Sequence, residues 1–200
     1  MTKSPDQPKP TAESIAQSAT VASRGKLPPV DSWNPPFCGD LDMRIARDGT
    51  WFYFGTPIGR KPLVKLFSSI LKKEGEKYFL VTPVEKVGIT VDDAPFVAID
   101  YEVVDQNGQT ALQFETHVGD FALAGPDHPI RVSFDESGEP SPYVLIRRNL
   151  EALIDRKTFY RLIDIGEHAD VDGEDWFGIR SGGTFFKIIL SSELDPTEDV

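Results

Sequence analysis

Glycine-bearing turn signals recur between short apolar runs, and they restrict this chain to sheets made of sequential hairpins. Asp48-Gly49 separates the alternating run 41–45 from the aromatic run 50–54, Asn107-Gly108 separates 96–104 from 110–118, and Ser181-Gly182-Gly183 separates 176–180 from 184–190. Asp-Gly and Asn-Gly tolerate the positive φ that tight hairpin turns require, so each pair joins two neighbouring antiparallel strands. Runs 130–134 and 143–147 flank a turn-rich stretch, 135–140, and give a further pair. Strands are also expected near 78–82 and 86–91, on either side of the Thr82-Pro83 break, with Val87, Ile89 and Val91 on one side at period two.

Helical spacing appears in two places in the body of the chain. Pro62 suits a first helical turn, and Leu63, Leu66, Phe67, Ile70 and Leu71 then fall three and four apart up to Gly75, read as the terminator. Leu150, Leu153, Ile154, Phe159, Leu162 and Ile163 give a second helical pattern, divided by Asp155 acting as an N-cap and stopped at Gly166. Many hairpins with few helices predict a mostly antiparallel α+β fold, not the alternating βαβ units of a doubly wound cofactor fold. No repeat is visible in the sequence. Each half nevertheless combines hairpins with one helical element, which predicts two small lobes: 31–95, an N-terminal α+β lobe, and 96–192, a β-rich lobe with a helix.

Residues 1–30 contain no aromatic side chain and are rich in Pro, Ser, Ala and Thr, a composition that buries too little apolar surface to offset chain entropy. They are expected to form a flexible arm, with a weakly striped helix over 12–22 able to dock on the body. Residues 193–200 read as an acidic tail. The net charge of -11 is uneven: residues 96–200 hold eight Lys or Arg against twenty-one acids. That surface repels phosphate backbones, so nucleic acid is not an expected partner. The apolar runs are too short to span a membrane and no secretory leader is read at the N-terminus, so a cytoplasmic location without membrane association is expected. Cys38 is the only cysteine, which excludes an internal disulfide. The histidines lack the i, i+4 spacing of a helical metal pair, and neither a metal nor a cofactor is expected.

Residues 36–51 (Pro-Phe-Cys-Gly-Asp-Leu-Asp-Met-Arg-Ile-Ala-Arg-Asp-Gly-Thr-Trp), the helix start at 62–67, Leu80-Val-Thr-Pro-Val-Glu-Lys86 and Asp93-Ala-Pro-Phe96 occur in an order that resembles bacterial domain-of-unknown-function family twelve-eighty-five. The resemblance spans roughly 30 to 190. It implies two small β-roll-like lobes, and it carries no catalytic residue with it, because the family has no established activity.

Candidate site residues gather around residues 78–96. Glu85, Lys86, Asp92 and Asp93 supply carboxylates beside a cation, and two carboxylates with unequal pKa values form an acid and a base if one is desolvated. Asp40, Asp42 and Arg44 alternate along one strand and therefore share a face. His117 follows a strand, with Asp120 three residues on. Arg147-Arg148-Asn149 ahead of a helix offers an anion site or, more simply, an N-cap at Asn149. These residues support two functions: a non-catalytic module that takes a small ligand or a partner protein between the lobes, and an acid–base, hydrolytic enzyme using the carboxylates there. Self-association into a homodimer through an exposed aromatic strand is a third reading.

Overall fold

The computed structural model describes residues 10–23 and 27–194, which divide into two compact units, one on each side of the Asp93-Ala94 bond. Residues 1–9 and 24–26 of the expected arm 1–30, and 195–200 of the expected acidic tail 193–200, lie outside the described residues. Within the expected arm, α1 (Ala12–Ser23) is a helix that packs on α2 and fully buries Ile15 and Ala19.

The first unit is one six-stranded sheet with α2 against it. In chain order come β1 (Phe37–Ile45), β2 (Trp51–Tyr53), β3 (Thr56–Pro57), α2 (Lys61–Ser69), β4 (Leu71–Glu74), β5 (Lys77–Val81) and β6 (Lys86–Val91), arranged in space as β3-β2-β1-β6-β5-β4. The β1–β2 hairpin forms as expected, but its turn spans Ala46 to Gly49, and of Asp48 and Gly49 only the glycine has positive φ. Leu41, Met43, Ile45, Trp51, Leu80 and Val87 are buried, and Trp51 stacks on Phe67 of α2 with 6.1 Å between ring centroids. The helix is shorter than its apolar spacing suggested. It stops at Ser69, Leu71 opens β4, and Gly75 (φ 57°) turns the β4–β5 hairpin instead of ending a helix.

The second unit repeats the same strand order with no visible sequence likeness. β7 (Phe96–Gln106), β8 (Gln109–Thr116), β9 (Phe121–Leu123), β10 (Ile130–Phe134), β11 (Pro140–Arg147) and β12 (Leu150–Ile154) are ordered β10-β11-β12-β7-β8-β9. In both sheets two three-stranded antiparallel groups meet through one central parallel pair, β1 with β6 and β7 with β12. Those two pairs depart from the antiparallel expectation, and no turn signal announces them because their partners are distant in sequence. The units differ in where the helix falls. α2 joins β3 to β4, whereas α3 (Arg156–Asp164) follows β12, and Asp155 caps α3 by accepting from the Thr158 amide at 2.7 Å. Tyr101 of β7 donates its hydroxyl to the Arg161 carbonyl of α3 at 2.9 Å.

Residues 150–154, read as helix from sequence, form strand β12. Leu150, Ala152 and Ile154 are buried while Glu151 and Leu153 are half-buried, which is the period-two pattern of a strand. Arg147-Arg148-Asn149 consequently precedes no helix. It belongs to a hairpin in which Arg147 pairs with Leu150 and Arg148 takes a left-handed φ of 54°. The described residues end in a three-stranded sheet, β13 (Glu167–Val171), β14 (Glu174–Ser181) and β15 (Thr184–Leu190), followed by α4 (Ser191–Leu194). The whole is an α+β molecule with two six-stranded lobes, each packing a helix.

Candidate functional site

The polar face of the N-terminal sheet carries most of the charged residues singled out from sequence. Asp40, Asp42 and Arg44 alternate with the buried Leu41, Met43 and Ile45 and are all exposed, as period two requires. In register, Asp40 of β1 sits opposite Gly88 of β6, and Gly88 opposite Phe79 of β5. These three positions form one row across the sheet. A Cβ at Gly88 would overlap Oδ1 of Asp40 and lie 3.8 Å from the Phe37 ring. The missing side chain is therefore what lets the Asp40 carboxylate lie down over β6.

Beside that carboxylate runs a cleft of about 380 Å³, lined among others by Asp40, Lys77, Tyr78, Gly88 and Thr90. Among the described residues the side chains of Asp40 and Asp42, and of Glu76 and Lys77 at the same cleft, have no hydrogen bond or ion pair, while Arg44 engages Asp92 and both Lys72 and Lys86 engage Glu74. Arg44 holds Asp92 at 2.6 Å and lies over the Phe52 ring at 4.8 Å. Lys86 crosses the Phe79 ring at 4.9 Å to reach Glu74 at 3.0 Å, and Lys72 reaches the same carboxylate at 3.3 Å. These cations hold the Glu74 carboxyl below its usual range, the Lys86 hydrogen bond contributing most. Asp93 is held by Arg47 at 3.4 Å.

Two of the carboxylates singled out from sequence, Glu85 and Asp92, stand at opposite ends of β6. Glu85 precedes the first residue of β6 and Asp92 follows the last, so at about 3.3 Å per residue their backbones stand roughly 20 Å apart. Paired carboxylates that act on one bond need to be within about 10 Å. Lys86 pairs with Glu74 and not with its neighbour Glu85. Glu85 closes the turn after β5, where the Glu85 amide donates to Thr82 Oγ1 at 3.2 Å and the Thr82 amide to the Glu85 carbonyl at 2.9 Å. His117 belongs to the second unit, where its Nδ1 accepts from the Val97 amide at 3.1 Å and its own amide donates to the Val97 carbonyl at 2.9 Å. That arrangement places its ring at the end of the β7–β8 ladder.

Burial raises the Glu85 carboxyl above the usual carboxylate range by penalising its charged form. Its folded pKa then exceeds its unfolded one, so the penalty is absent below about pH 4 and grows as pH rises through the folded value. Glu85→Gln should accordingly raise the unfolding midpoint at pH 7 and give no gain near pH 4. Equal gains in thermal melts at the two pH values would contradict this assignment.

A Ser-His-Asp set that sequence spacing did not suggest occurs at Ser191, His168 and Asp175. Both partners approach the same ring nitrogen, with Ser191 Oγ 2.7 Å and Asp175 Oδ2 3.8 Å from Nδ1. A hydrolytic relay needs the carboxylate on one nitrogen and the hydroxyl on the other, and the His168 and Asp175 side chains are solvent-exposed, so the arrangement is not that of an activated nucleophile. Among the described residues no group of three or more His, Cys, Asp or Glu side chains converges as metal ligands, and no helix is long and apolar enough to cross a membrane.

What the sequence missed in the cleft is Gly88, Tyr78 and Thr90. Gly88 carries a recognisable signal: a glycine inside a strand, with ordinary negative φ, marks a place where something approaches the backbone closely. Its partner could not be read without knowing that β1 and β6 run side by side.

Comparison with known proteins agrees with this two-lobed plan. No curated protein matches the chain. A crystal structure of a DUF1285 family protein from Silicibacter pomeroyi DSS-3 is 57% identical, covers 90% of this chain and 97% of its own, and superposes with a TM-score of 0.81. A second, from Shewanella baltica OS155, is 30% identical, covers 62% of this chain and 91% of its own, and has a TM-score of 0.50. The profile described as "Domain of unknown function (DUF1285), N-terminal domain" matches residues 28–94, and that described as "Protein of unknown function (DUF1285), C-terminal domain" matches residues 95–188. The two profiles thus meet one residue from the division between the compact units, and the chain belongs to the DUF1285 family.

Proposed function

We propose that the protein is a non-catalytic binding module whose N-terminal lobe takes a small amine-bearing ligand in the cleft over Gly88. The observation that carries this reading is the unpaired Asp40 carboxylate lying across a strand glycine beside an open cleft of about 380 Å³. Cavities of a few hundred Å³ with a small number of placed polar groups are the ordinary form of a small-molecule site. Asp40 offers acceptor oxygens, Thr90 a hydroxyl and Phe79, next in the row beyond Gly88, an aromatic wall, which together suit a cation or N–H donor attached to an apolar body. The acid–base alternative loses support from the separation of Glu85 from Asp92 and from the arginines that neutralise Asp92 and Asp93.

Thermal unfolding against a panel of primary amines, amidines, nucleotides and metals tests the proposal. A ligand at 100 times its Kd adds about 2.7 kcal/mol of stability, a rise of roughly 5–10 °C for a chain of this length. The expected result is a shift with one amine class that disappears in Asp40→Asn. A hit that survives Asp40→Asn would move the site elsewhere, and turnover of a hit would replace the binding role with an enzymatic one.

A further inference from the structure

In the N-terminal unit, α1 and α2 lie side by side and leave a groove of about 630 Å³ between them. Its walls are Ala16, Thr20 and Val21 on α1 and Arg60, Leu63 and Leu66 on α2. Val21 is 71% exposed and Leu63 and Leu66 are only half-buried, so apolar surface remains open to water along both helices.

The charge around this groove is opposite in sign to that of the whole chain. From Gly49 to Ile70 there are three Lys or Arg and no acid, in a protein of net charge -11. Arg60, Lys61 and Lys65 are exposed, and their side chains have no ion pair or hydrogen bond among the described residues. By contrast, Arg44, Arg131, Arg161 and Arg180 each hold a carboxylate. Arg60 and Lys61 also stand at the N-terminal end of α2, where there is neither an acidic residue in the first turn nor a side-chain cap. The helix dipole therefore adds to their positive field, and the isolated arrangement is electrostatically unfavourable until carboxylates approach. Glu13 is the only acid on the two helices.

We infer that this groove docks an acidic amphipathic helix from a partner protein, with the partner's apolar residues between α1 and α2 and its carboxylates against Arg60, Lys61 and Lys65. Helix-in-groove recognition uses anchors at i, i+3, i+4 and i+7, and α2, with nine residues, is long enough to meet about two turns of such a partner. Concavity decides between this occupant and an anionic membrane: a bilayer presents a broad surface to a protruding helix, whereas a groove between two helices accepts inserted side chains.

The test is fluorescence anisotropy of the full chain with a labelled synthetic peptide of Glu, Asp, Leu and Ala whose leucines follow helical spacing, against a scrambled peptide of the same composition. The helical-spacing peptide is expected to bind at least about tenfold more tightly than the scrambled one and to weaken as salt rises past about 0.15 M, where exposed charges are screened. The double variant Arg60→Glu, Lys65→Glu and the single variant Val21→Glu, all at exposed positions, are each expected to weaken binding about tenfold without lowering the unfolding midpoint. The inference is overturned if the peptide does not bind, if the scrambled peptide binds equally, or if the variants bind as well as the parent. It is equally overturned if vesicles containing phosphatidylglycerol bind and the peptide does not, or if sedimentation shows a dimer whose dissociation by Val21→Glu identifies the groove as a self-interface.

Discussion

Ser181→Ala should remove about 2–4 kcal/mol of stability from the C-terminal unit, because its hydroxyl completes two buried backbone groups at once and a stranded buried group costs about 1–3 kcal/mol. Ser181 is fully buried. Its Oγ accepts from the Leu112 amide at 2.8 Å and donates to the Ala124 carbonyl at 2.7 Å. The Ala124 amide meanwhile donates to the Leu112 carbonyl at 2.8 Å, so the serine is inserted into a ladder position where β8 and the chain leaving β9 have begun to separate. The next residue, Gly182, donates its amide to the Thr110 carbonyl at 3.0 Å, and a Cβ there would stand 3.0 Å from the Ala124 oxygen. One side chain thus pins the β14–β15 turn onto the six-stranded sheet. Chemical denaturation measures the effect, and Ser133→Ala, at an exposed hydroxyl that bonds the Ser141 carbonyl, is the matched control expected to stay within about 0.5 kcal/mol. A loss below about 0.5 kcal/mol for Ser181→Ala would mean that water or a local shift satisfies both groups.

Gly88→Leu is expected to have the largest functional effect. A Cβ at this position overlaps the Asp40 carboxylate, and the rest of the leucine would stand in the cleft. Asp40 is exposed and its carboxylate can turn to water, so the structure gives way first at the end of a side chain instead of at the backbone. Gly88 itself is buried, so the larger side chain should still cost about 1–3 kcal/mol of stability. Ligand binding should fall below detection, since the polar acceptor and the volume are lost together. Gly88→Ala separates the two contributions: it displaces the carboxylate but leaves most of the cleft, so it should weaken binding about as much as Asp40→Asn. If Gly88→Leu binds the ligand normally, the cleft is not the site.

The hairpins were legible because their turns are encoded by a few adjacent residues. Asn107 and Gly108 take φ of 56° and 82°, and Gly182 and Gly183 take 56° and 76°, the left-handed values that those residues announce. The hairpin turned by Arg148 was not legible, because arginine does not advertise a left-handed conformation. Without that turn, the apolar residues at 150, 153 and 154 fit a helix as well as a strand. At the end of α2, Ile70 and Leu71 continue the helical spacing although the chain has already turned into β4. No glycine or proline marks the change, and pairing with β5 decides it. The polar face of β1 followed from alternation alone, so Asp40, Asp42 and Arg44 were found together. The cleft was not, since it depends on β1 lying parallel to β6 across more than forty residues of chain. The same distance hid the shared strand order of the two lobes, because topology is set by sheet pairing and needs no matching residues.

The most direct test of the binding role is amide chemical-shift mapping of the isotopically labelled full chain, titrated with the amine that stabilises it most in thermal unfolding. Saturable shifts concentrated at Asp40, Tyr78, Phe79, Gly88 and Thr90, and absent in Gly88→Leu, are the predicted result. Saturable shifts centred on other residues, or none with any amine of the panel, would contradict it.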